Sequence, residues 1–255
     1  ENMMNIKRTL LAAIAAAGLF AAANTSAAVV SLNNQNFETG TLSGWTAIGS
    51  AFATNSTSVT TNDNIVWNIG AADTTMAQLD SGNSSIASIE LALGLTSGVL
   101  NTYNTNANGG DLTDGSAIYQ SFVGNIGDTL AIAWDYVARD YIPFNDPAFA
   151  IIINPDGSAV IDVLASIHGL GMAVGTSGHT GWQTFSETLT QTGTFTIAFV
   201  TTNDKDTALD AALFIDNVAG TCTPTCPPPV NQVPEPGSLA GCPHCDWRWP
   251  RYWLD

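Results

Sequence analysis

Two acidic residues near opposite ends of the sequence are the first candidates for chemistry. Glu38 lies in residues 36–45, a stretch with two aromatic residues and two glycines, and Asp216 lies in the apolar run 213–218. Carboxylates and backbone carbonyls are ligands that calcium prefers. If the two segments lie side by side, Glu38 and Asp216 can share one calcium ion (Ca2+) with a structural role. Alternatively, both are surface carboxylates that cap turns.

A second group of polar residues lies near residue 140. Its members are Asp135, Arg139, Asp140, Asn145 and Asp146. These side chains could hold an ion or contact a ligand. Asp and Asn are also common turn residues, however, and a long hairpin loop is the interpretation we favour. A solvated turn is likewise predicted around Lys205 for three further acidic residues, Asp204, Asp206 and Asp210.

The sequence offers little support for an enzyme. A hydrolytic triad needs a nucleophile beside a histidine that a carboxylate orients. Residues 29–220 contain two histidines, His168 and His179, but no cysteine and no Gly-x-Ser-x-Gly motif. Glu90 and Glu187 could form a glycosidase pair, although a sequence does not give their separation, and we favour solvent-facing positions for both. We therefore predict that the chain is not an enzyme.

Aromatic residues could provide a sugar-binding surface, because their flat faces pack against pyranose rings. Trp45 and Trp182 each follow a glycine at the start of a predicted strand, and Trp134 alternates with Ile132 in an apolar strand. These three tryptophans are therefore predicted to lie in the core. The aromatic residues least committed to the core are Trp67, Tyr103, Tyr119 and Tyr141.

The chain carries a strongly negative charge. Its formal net charge is −16, and residues 29–220 contain two basic residues against eighteen acidic ones. Nucleic acids and other polyphosphates are excluded as partners, because their recognition requires clustered Lys and Arg. An anionic membrane surface would also repel the chain. Divalent cations and neutral sugars remain as partners.

The region between Glu38 and Asp216 is predicted to be all-β. Short alternating apolar runs are separated by Gly, Asn and Asp, which is typical of a β-sandwich. The predicted strands are 45–48, 51–54, 65–69, 76–79, 117–123, 129–137, 148–153, 159–163, 182–189, 194–201 and 211–218. One short helix is predicted from a cap at Ser84 or Ser85 to Gly94. Residues 101–115 are predicted to form a polar loop.

The two ends of the chain differ in composition from this region. Residues 1–28 contain a basic segment, an apolar run and small residues before position 29, which predicts a secretory signal peptide. Residues 29–220 form the predicted domain. Residues 221–232 form a Pro-rich linker with extended geometry, and residues 233–255 are predicted to be a disordered tail.

The cysteines all lie after the predicted domain, so no disulfide framework is expected within it. They are Cys222, Cys226, Cys242 and Cys245. The second pair has the spacing of a redox motif, but such a motif acts at a helix start, and no helix is predicted there. The four residues could also bind zinc. We regard the second pair as accidental.

The stretch Val233-Pro234-Glu235-Pro236-Gly237-Ser238-Leu239-Ala240 resembles the sorting signal of PEP-CTERM proteins of Gram-negative bacteria. The resemblance implies export, processing by an exosortase, and a destination at the cell surface or in an extracellular matrix. In that family an apolar span and an arginine cluster follow. Here residues 241–255 contain two Pro, two Asp and two Arg, which does not suit a membrane span. Our hypothesis for this difference is a reading-frame slip after Ala240.

The domain is also similar to the jelly-roll bodies common among PEP-CTERM proteins and to carbohydrate-binding modules. The matching pieces are residues 37–40 with 43–45, residues 144–149 and residues 214–218. In similar modules, the positions of Glu38 and Asp216 hold a structural calcium ion. The predicted function is a non-catalytic structural or adhesive component of a matrix or biofilm rich in exopolysaccharide. The alternative is a carbohydrate-binding module with a specific glycan ligand.

Overall fold

The computed structural model describes residues 30, 32–106 and 109–216. The predicted signal peptide, the Pro-rich linker, the motif at 233–236 and all four cysteines lie outside the described residues. Within them, no helix is long and apolar enough to cross a membrane.

The described residues form fourteen strands and two short helices, which confirms the predicted all-β class. The strands are β1 (Thr46–Ile48), β2 (Ser50–Thr54), β3 (Ser56–Thr60), β4 (Val66–Gly70), β5 (Met76–Asp80), β6 (Ser84–Ser85), β7 (Leu112–Gly124), β8 (Thr129–Val137), β9 (Ala148–Ile153), β10 (Ala159–Ser166), β11 (Met172–Ala173), β12 (Gln183–Thr188), β13 (Gly193–Asp204) and β14 (Ala212–Asp216). The helices are α1 (Ile86–Ala92) and α2 (Val99–Asn106).

Two main sheets pack face to face as a jelly-roll β-sandwich. The first has seven strands, in the order β1-β7-β13-β9-β10-β11 with β6 paired to β7, and the second has five, in the order β12-β8-β14-β5-β2. All pairs within these sheets are antiparallel except β10 with β11. The chain crosses between the two sheets several times, and β1 and β14 lie in different sheets.

The core lies between the two sheets because the strands alternate apolar and polar residues. Ile118, Ile197 and Phe199 of the seven-stranded sheet and Leu79 and Leu213 of the five-stranded sheet are fully buried in one cluster. The segment before β1 joins this cluster through Phe37 and Trp45, whose ring centroids are 5.6 Å apart. Burial of each large side chain stabilises the fold by about 1.5–3 kcal/mol.

Each sheet is also covered on its outer face. The helices α1 and α2 lie on the seven-stranded sheet, where Ile89 and Leu100 pack against residues such as Phe149 and Val200. The β3–β4 hairpin lies on the five-stranded sheet and inserts Val59 and Ile69 into a third apolar cluster. The five-stranded sheet is therefore not an open surface over its whole width.

The structure confirms the predicted helix near residue 85 and corrects the loop predicted after it. Ser85 caps α1, with its side chain accepting a hydrogen bond from the Ser88 N–H. Residues 101–115, however, contain most of α2 and the start of β7. The prediction of a single helix was therefore wrong. The strand β3 was also missed.

Candidate functional site

The β4–β5 loop, residues 71–75, brings the two predicted calcium ligands to one place. Asp216 Oδ2 accepts a hydrogen bond from the Ala72 N–H at 2.8 Å. Glu38 Oε1 accepts hydrogen bonds from the N–H groups of Thr74, at 3.2 Å, and Thr75, at 2.9 Å. The two carboxylates therefore bind the same loop within three residues of each other, although the strands β1 and β14 do not pair.

A third carboxyl group in this loop, Asp73, was not singled out from the sequence. A hydrogen bond between the side chains of Asp73 and Glu38 is the largest cause that lowers the pKa of Glu38. The pKa of Asp73 is raised, first by burial and then by that same hydrogen bond. Two carboxyl groups this close cannot both be ionised at low cost unless a proton or a cation lies between them.

The electrostatics of this loop suit a cation, although the carboxylates alone do not form a complete site. In the described part of the chain, no group of three or more His, Cys, Asp and Glu side chains is arranged to hold a metal ion. An ion held by Glu38 and Asp216 would therefore take further ligands from backbone carbonyls and water, as calcium commonly does. Calcium binding here remains a prediction.

The outer face of the five-stranded sheet contains a second group of polar residues. His179 Nε2 lies 2.9 Å from Asp135 Oδ2, and the Thr180 hydroxyl donates to Asp135 Oδ1 at 2.9 Å. The Trp67 ring of the hairpin packs on the His179 ring with centroids 4.7 Å apart. This arrangement fixes the hairpin to the sheet. The second histidine of the described residues, His168, lies elsewhere, with its Nε2 atom 3.2 Å from the Pro143 carbonyl oxygen.

The four tryptophans of the described residues do not form an exposed platform. Trp45 and Trp134 are buried, as predicted. Trp67 and Trp182 are half-buried between the hairpin and the sheet, where their indole N–H groups donate to the carbonyls of Ser177 and Gly70. Among the described residues, the aromatic side chains classed as exposed are Phe52, at 42%, and Tyr141, at 39%.

The outward side of the hairpin strands and of β12 instead carries mainly uncharged polar residues, with Val66, at 51% exposure, as an apolar exception. On the hairpin, the exposed positions include Ser56, Ser58 and Asn68, and the Ser58 hydroxyl donates to Asn68 Oδ1 at 2.7 Å. These residues line a shallow depression of about 420 Å³ together with Thr57, Ile69 and Gly70. On β12, Thr184, Ser186 and Thr188 are exposed.

Glu90 and Glu187 lie on different parts of the sandwich. Glu90 is 2% exposed, which contradicts the predicted solvent-facing position. Its two oxygens accept hydrogen bonds from the N–H groups of Gly98, at 2.6 Å, and Leu100, at 3.0 Å. Glu90 therefore caps the start of α2, on the outer side of the seven-stranded sheet, whereas Glu187 lies on β12 of the five-stranded sheet.

The acidic residues near 140 and 204 meet at one end of the sandwich. They lie in the β8–β9 loop and at the end of β13, where Asp140, Asp146 and Asp204 are at most 2% exposed. The solvated turn predicted around Lys205 is therefore wrong for Asp204, which is fully buried. The cost of burying this carboxylate is offset because it accepts hydrogen bonds from four groups: Asn104 Nδ2, Gly110 N, Asn145 N and Lys205 Nζ.

Comparison with known proteins gives a similar fold without close relatives. No family model and no curated protein matches the chain. Among solved structures, TmCBM61 in complex with β-1,4-galactotriose matches with a TM-score of 0.39 and 12% identity, over 73% of this chain and 94% of that one. The CBM22-1 xylan-binding domain of Paenibacillus barcinonensis Xyn10C matches with a TM-score of 0.32 and 13% identity, over 75% and 94% of the two chains.

A cleaved adhesin domain of Lys-gingipain from Porphyromonas gingivalis, K1, also matches, with a TM-score of 0.32 and 12% identity over 71% of this chain and 94% of that domain. Scores this low do not transfer a ligand or an activity. The fold assignment rests on the strand order of the two sheets.

Proposed function

We propose that the chain is a non-catalytic exported protein that contacts neutral polysaccharide through the uncharged outer side of the hairpin and β12. The observation that carries this proposal is the exposed row of hydroxyl and amide groups at Ser56, Ser58 and Asn68. Such groups exchange hydrogen bonds with sugar hydroxyls without attracting charged polymers. A polyanion would be repelled by the net charge of −16.

The test is co-sedimentation of the full-length chain with insoluble neutral polysaccharides, with calcium and with chelator. The double variant Ser58→Ala/Asn68→Ala removes hydrogen-bonding groups from the proposed contact surface. A matched control is Ser121→Ala/Thr196→Ala, which removes an equivalent hydroxyl pair, 2.9 Å apart, from the outer face of the other sheet.

We expect the first double variant to bind about fivefold more weakly, because one lost hydrogen bond costs roughly 1 kcal/mol. The control should bind as the unchanged chain does. Equal loss in both variants, or no binding by the unchanged chain, would contradict the proposed contact surface. Shortening of the polysaccharide during incubation would contradict the non-catalytic role.

A second candidate, recognition of one defined glycan, is favoured by a different group of residues beside the hairpin. Phe52 is 42% exposed and lies directly opposite Gln78 across β2 and β5. Gln78 Nε2 and Arg139 Nη2 both donate to Asp80 Oδ1, at 3.0 and 3.2 Å. An aromatic ring beside polar groups is a common arrangement for sugar recognition. If this group is the site, Phe52→Ala abolishes binding to a single glycan and Ser58→Ala/Asn68→Ala does not.

We also propose that Glu38 and Asp216 hold a structural calcium ion, beside Asp73 of the β4–β5 loop. Its support is the shared hydrogen bond between Glu38 and Asp73 and the hydrogen bonds of Glu38 and Asp216 to one loop. The ion would fix the segment before β1 and the end of β14 to the β4–β5 loop. The ion would cross-link the two ends of the domain and would take no part in a reaction.

The proposed destination is the cell surface or extracellular matrix of a Gram-negative bacterium, reached through an exosortase. Its support is the sequence Val233-Pro234-Glu235-Pro236. In an exosortase-containing host, the Pro234→Ala/Pro236→Ala variant should accumulate in a different cell fraction from the unchanged chain. Identical fractionation of the two chains would exclude sorting by this motif.

A further inference from the structure

One end of the sandwich contains more buried negative charge than its basic residues balance. Asp140, Asp146 and Asp204 are each at most 2% exposed there. The nearby base is Lys205, whose ammonium donates to Asp204 Oδ2 at 3.0 Å and to the Pro143 carbonyl at 2.6 Å. Asp204 also accepts three further hydrogen bonds. Its charge is therefore compensated. The carboxylates of Asp140 and Asp146 each accept one backbone hydrogen bond, from the Tyr141 and Asp204 N–H groups, and form no ion pair within the described residues.

Asp146 carries the strongest sign of a missing partner. Its Oδ1 accepts a hydrogen bond from the Asp204 N–H at 2.9 Å. Its Oδ2 is buried and has no hydrogen-bond partner. A buried carboxylate oxygen without a donor is costly, and native proteins usually satisfy such an atom with a proton, a water or a cation.

The carboxylates around Asp146 indicate which partner fits. Burial raises the pKa of Asp146, and the charges of Asp140, Asp204 and Asp206 raise it further. Burial also raises the pKa of Asp140, which lies near Asp206 and Asp204. Neighbours that make a carboxylate hold a proton more tightly also attract a divalent cation to the same place.

The type of ligand points to calcium. The available groups are carboxylate oxygens together with the backbone carbonyls of irregular loops, and calcium accepts six to eight such ligands at about 2.3–2.6 Å in flexible geometry. Magnesium would need a stricter octahedron. No complete set of three acidic, His or Cys ligands exists among the described residues, so carbonyls and water would supply the remaining ligands.

We propose that Asp146 and Asp140 share a calcium ion in the β8–β9 loop, at a site separate from Glu38 and Asp216. The ion satisfies Asp146 Oδ2. It also fixes the β8–β9 loop to the end of β13, which already contact each other through the Asn145 N–H and Asp204 Oδ2 at 3.0 Å.

The test counts calcium ions per chain by equilibrium dialysis of the full-length protein, followed by elemental analysis. The variant is Asp146→Asn, whose side-chain oxygen still accepts the hydrogen bond from the Asp204 N–H. The matched control is Asp162→Asn, which makes the same charge change at an exposed position on β10. Both chains keep Glu38 and Asp216, so the other proposed calcium site cancels in the comparison.

We expect Asp146→Asn to bind one calcium ion fewer per chain than Asp162→Asn and to lose part of the rise in melting temperature caused by calcium. If Asp146→Asn does not fold, Asp140→Asn is measured instead, with the same expectation. Equal numbers of calcium ions in variant and control overturn the proposal. Equal numbers together with a higher melting temperature of Asp146→Asn would show that a proton occupies this place.

Discussion

At the scale of single residues, two acidic side chains, Glu38 and Asp73, share a hydrogen bond. Their hydrogen bond requires a proton, because each side chain is otherwise an acceptor. A calcium ion would replace that proton and allow both groups to ionise. Melting temperatures with and without calcium therefore report on this pair.

Glu38→Gln is expected to reduce the rise in melting temperature that calcium causes. The amide oxygen can still accept from the Thr74 and Thr75 N–H groups, so the melting temperature in chelator should change little. Differential scanning fluorimetry with calcium and with chelator measures both values, and Glu187→Gln on β12 is the control. A calcium response equal to that of the control would exclude Glu38 as a ligand.

Asp210 is expected to make the fold less stable as the pH rises. Burial is the largest cause that raises the pKa of Asp210, and the negative charges of Asp114 and Asp80 raise it further. The hydrogen bond from Asn203 and the positive charge of Arg139 lower it by less. Because the folded pKa is raised, the folded state holds the proton more tightly. The stabilising contribution is therefore present at low pH and is lost as the pH rises through the raised pKa.

Asp210→Asn removes this dependence while the amide oxygen still accepts from Asn203 Nδ2. We expect the variant to gain stability over the unchanged chain between pH 4 and pH 7. The gain should be under about 1 kcal/mol, because solvent screens a partly exposed carboxylate. Urea unfolding at both pH values measures it, with Asp162→Asn as control. If the difference in stability between the variant and the unchanged chain does not grow as the pH rises, this assignment is wrong.

The sequence predicted some of these residues better than others. Glu38 and Asp216 could be selected because each lies in a short apolar segment near one end of the domain. Asp73 could not, since its partner lies 35 positions away in the sequence. Asp204 was misassigned because an Asp before a Lys is typical of an exposed turn. Only the fold shows that its four donors come from several separate segments.

At the scale of elements, the connection between the sheets at Gly49 is sterically demanding. Gly49 has a φ of +76°. An added Cβ would lie 2.7 Å from the carbonyl oxygens of Gly115 and Gly82 and 2.4 Å from Ser116 Oγ. The chain turns from β1 to β2 at this point, so a side chain here would force the two sheets apart.

Gly49→Ala is therefore expected to destabilise the fold by about 2–3 kcal/mol, from the strained backbone conformation and the overlap with neighbouring atoms. Gly40→Ala is the control, because Gly40 also has a positive φ, of +69°, but open space around it. Urea unfolding of both variants separates the steric effect from the conformational one. Equal losses would mean that the close approach at Gly49 is unimportant.

Glu90 is expected to stabilise α2 through its two hydrogen bonds to the start of that helix. Glu90→Ala leaves the Gly98 and Leu100 N–H groups without their acceptors and should cost about 2–4 kcal/mol, because buried hydrogen bonds to a charged group are strong. Glu187→Ala on β12 should cost under about 0.5 kcal/mol. Similar losses of unfolding free energy for Glu90→Ala and Glu187→Ala, measured by urea unfolding, would contradict the capping role of Glu90.

The helix α2 also shows which kind of element the sequence patterns did not predict. The strands 129–137 and 148–153 were predicted with correct ends, because their alternation is regular and turn residues flank them. Residues 99–106 contain only three apolar residues, Val99, Leu100 and Tyr103, among many Asn and Thr residues, which favour loops. They form a helix because Leu100 is buried against the seven-stranded sheet and a distant carboxylate, Glu90, caps them. Tertiary contacts decide such a segment.

At the scale of the whole molecule, the two sides of the sandwich differ in character. One end contains three of the six buried acidic side chains of the described residues, Asp140, Asp146 and Asp204. The outward side of the two hairpin strands carries mainly hydroxyl and amide groups together with Val66, and the acidic residue of the hairpin, Asp63, lies in its turn. A strongly negative molecule with one neutral face can approach a neutral polymer through that face alone, because desolvation of carboxylates elsewhere would cost more than a sugar contact returns.

Hydrogen–deuterium exchange of the full-length chain, with and without an insoluble neutral polysaccharide that it sediments with, tests this account most directly. We expect the polysaccharide to slow exchange in β3, β4 and β12, and to leave α1 and α2 on the opposite side unchanged. Slower exchange confined to the helices, or no change on the hairpin although the chain is bound, would contradict the uncharged face as the contact surface.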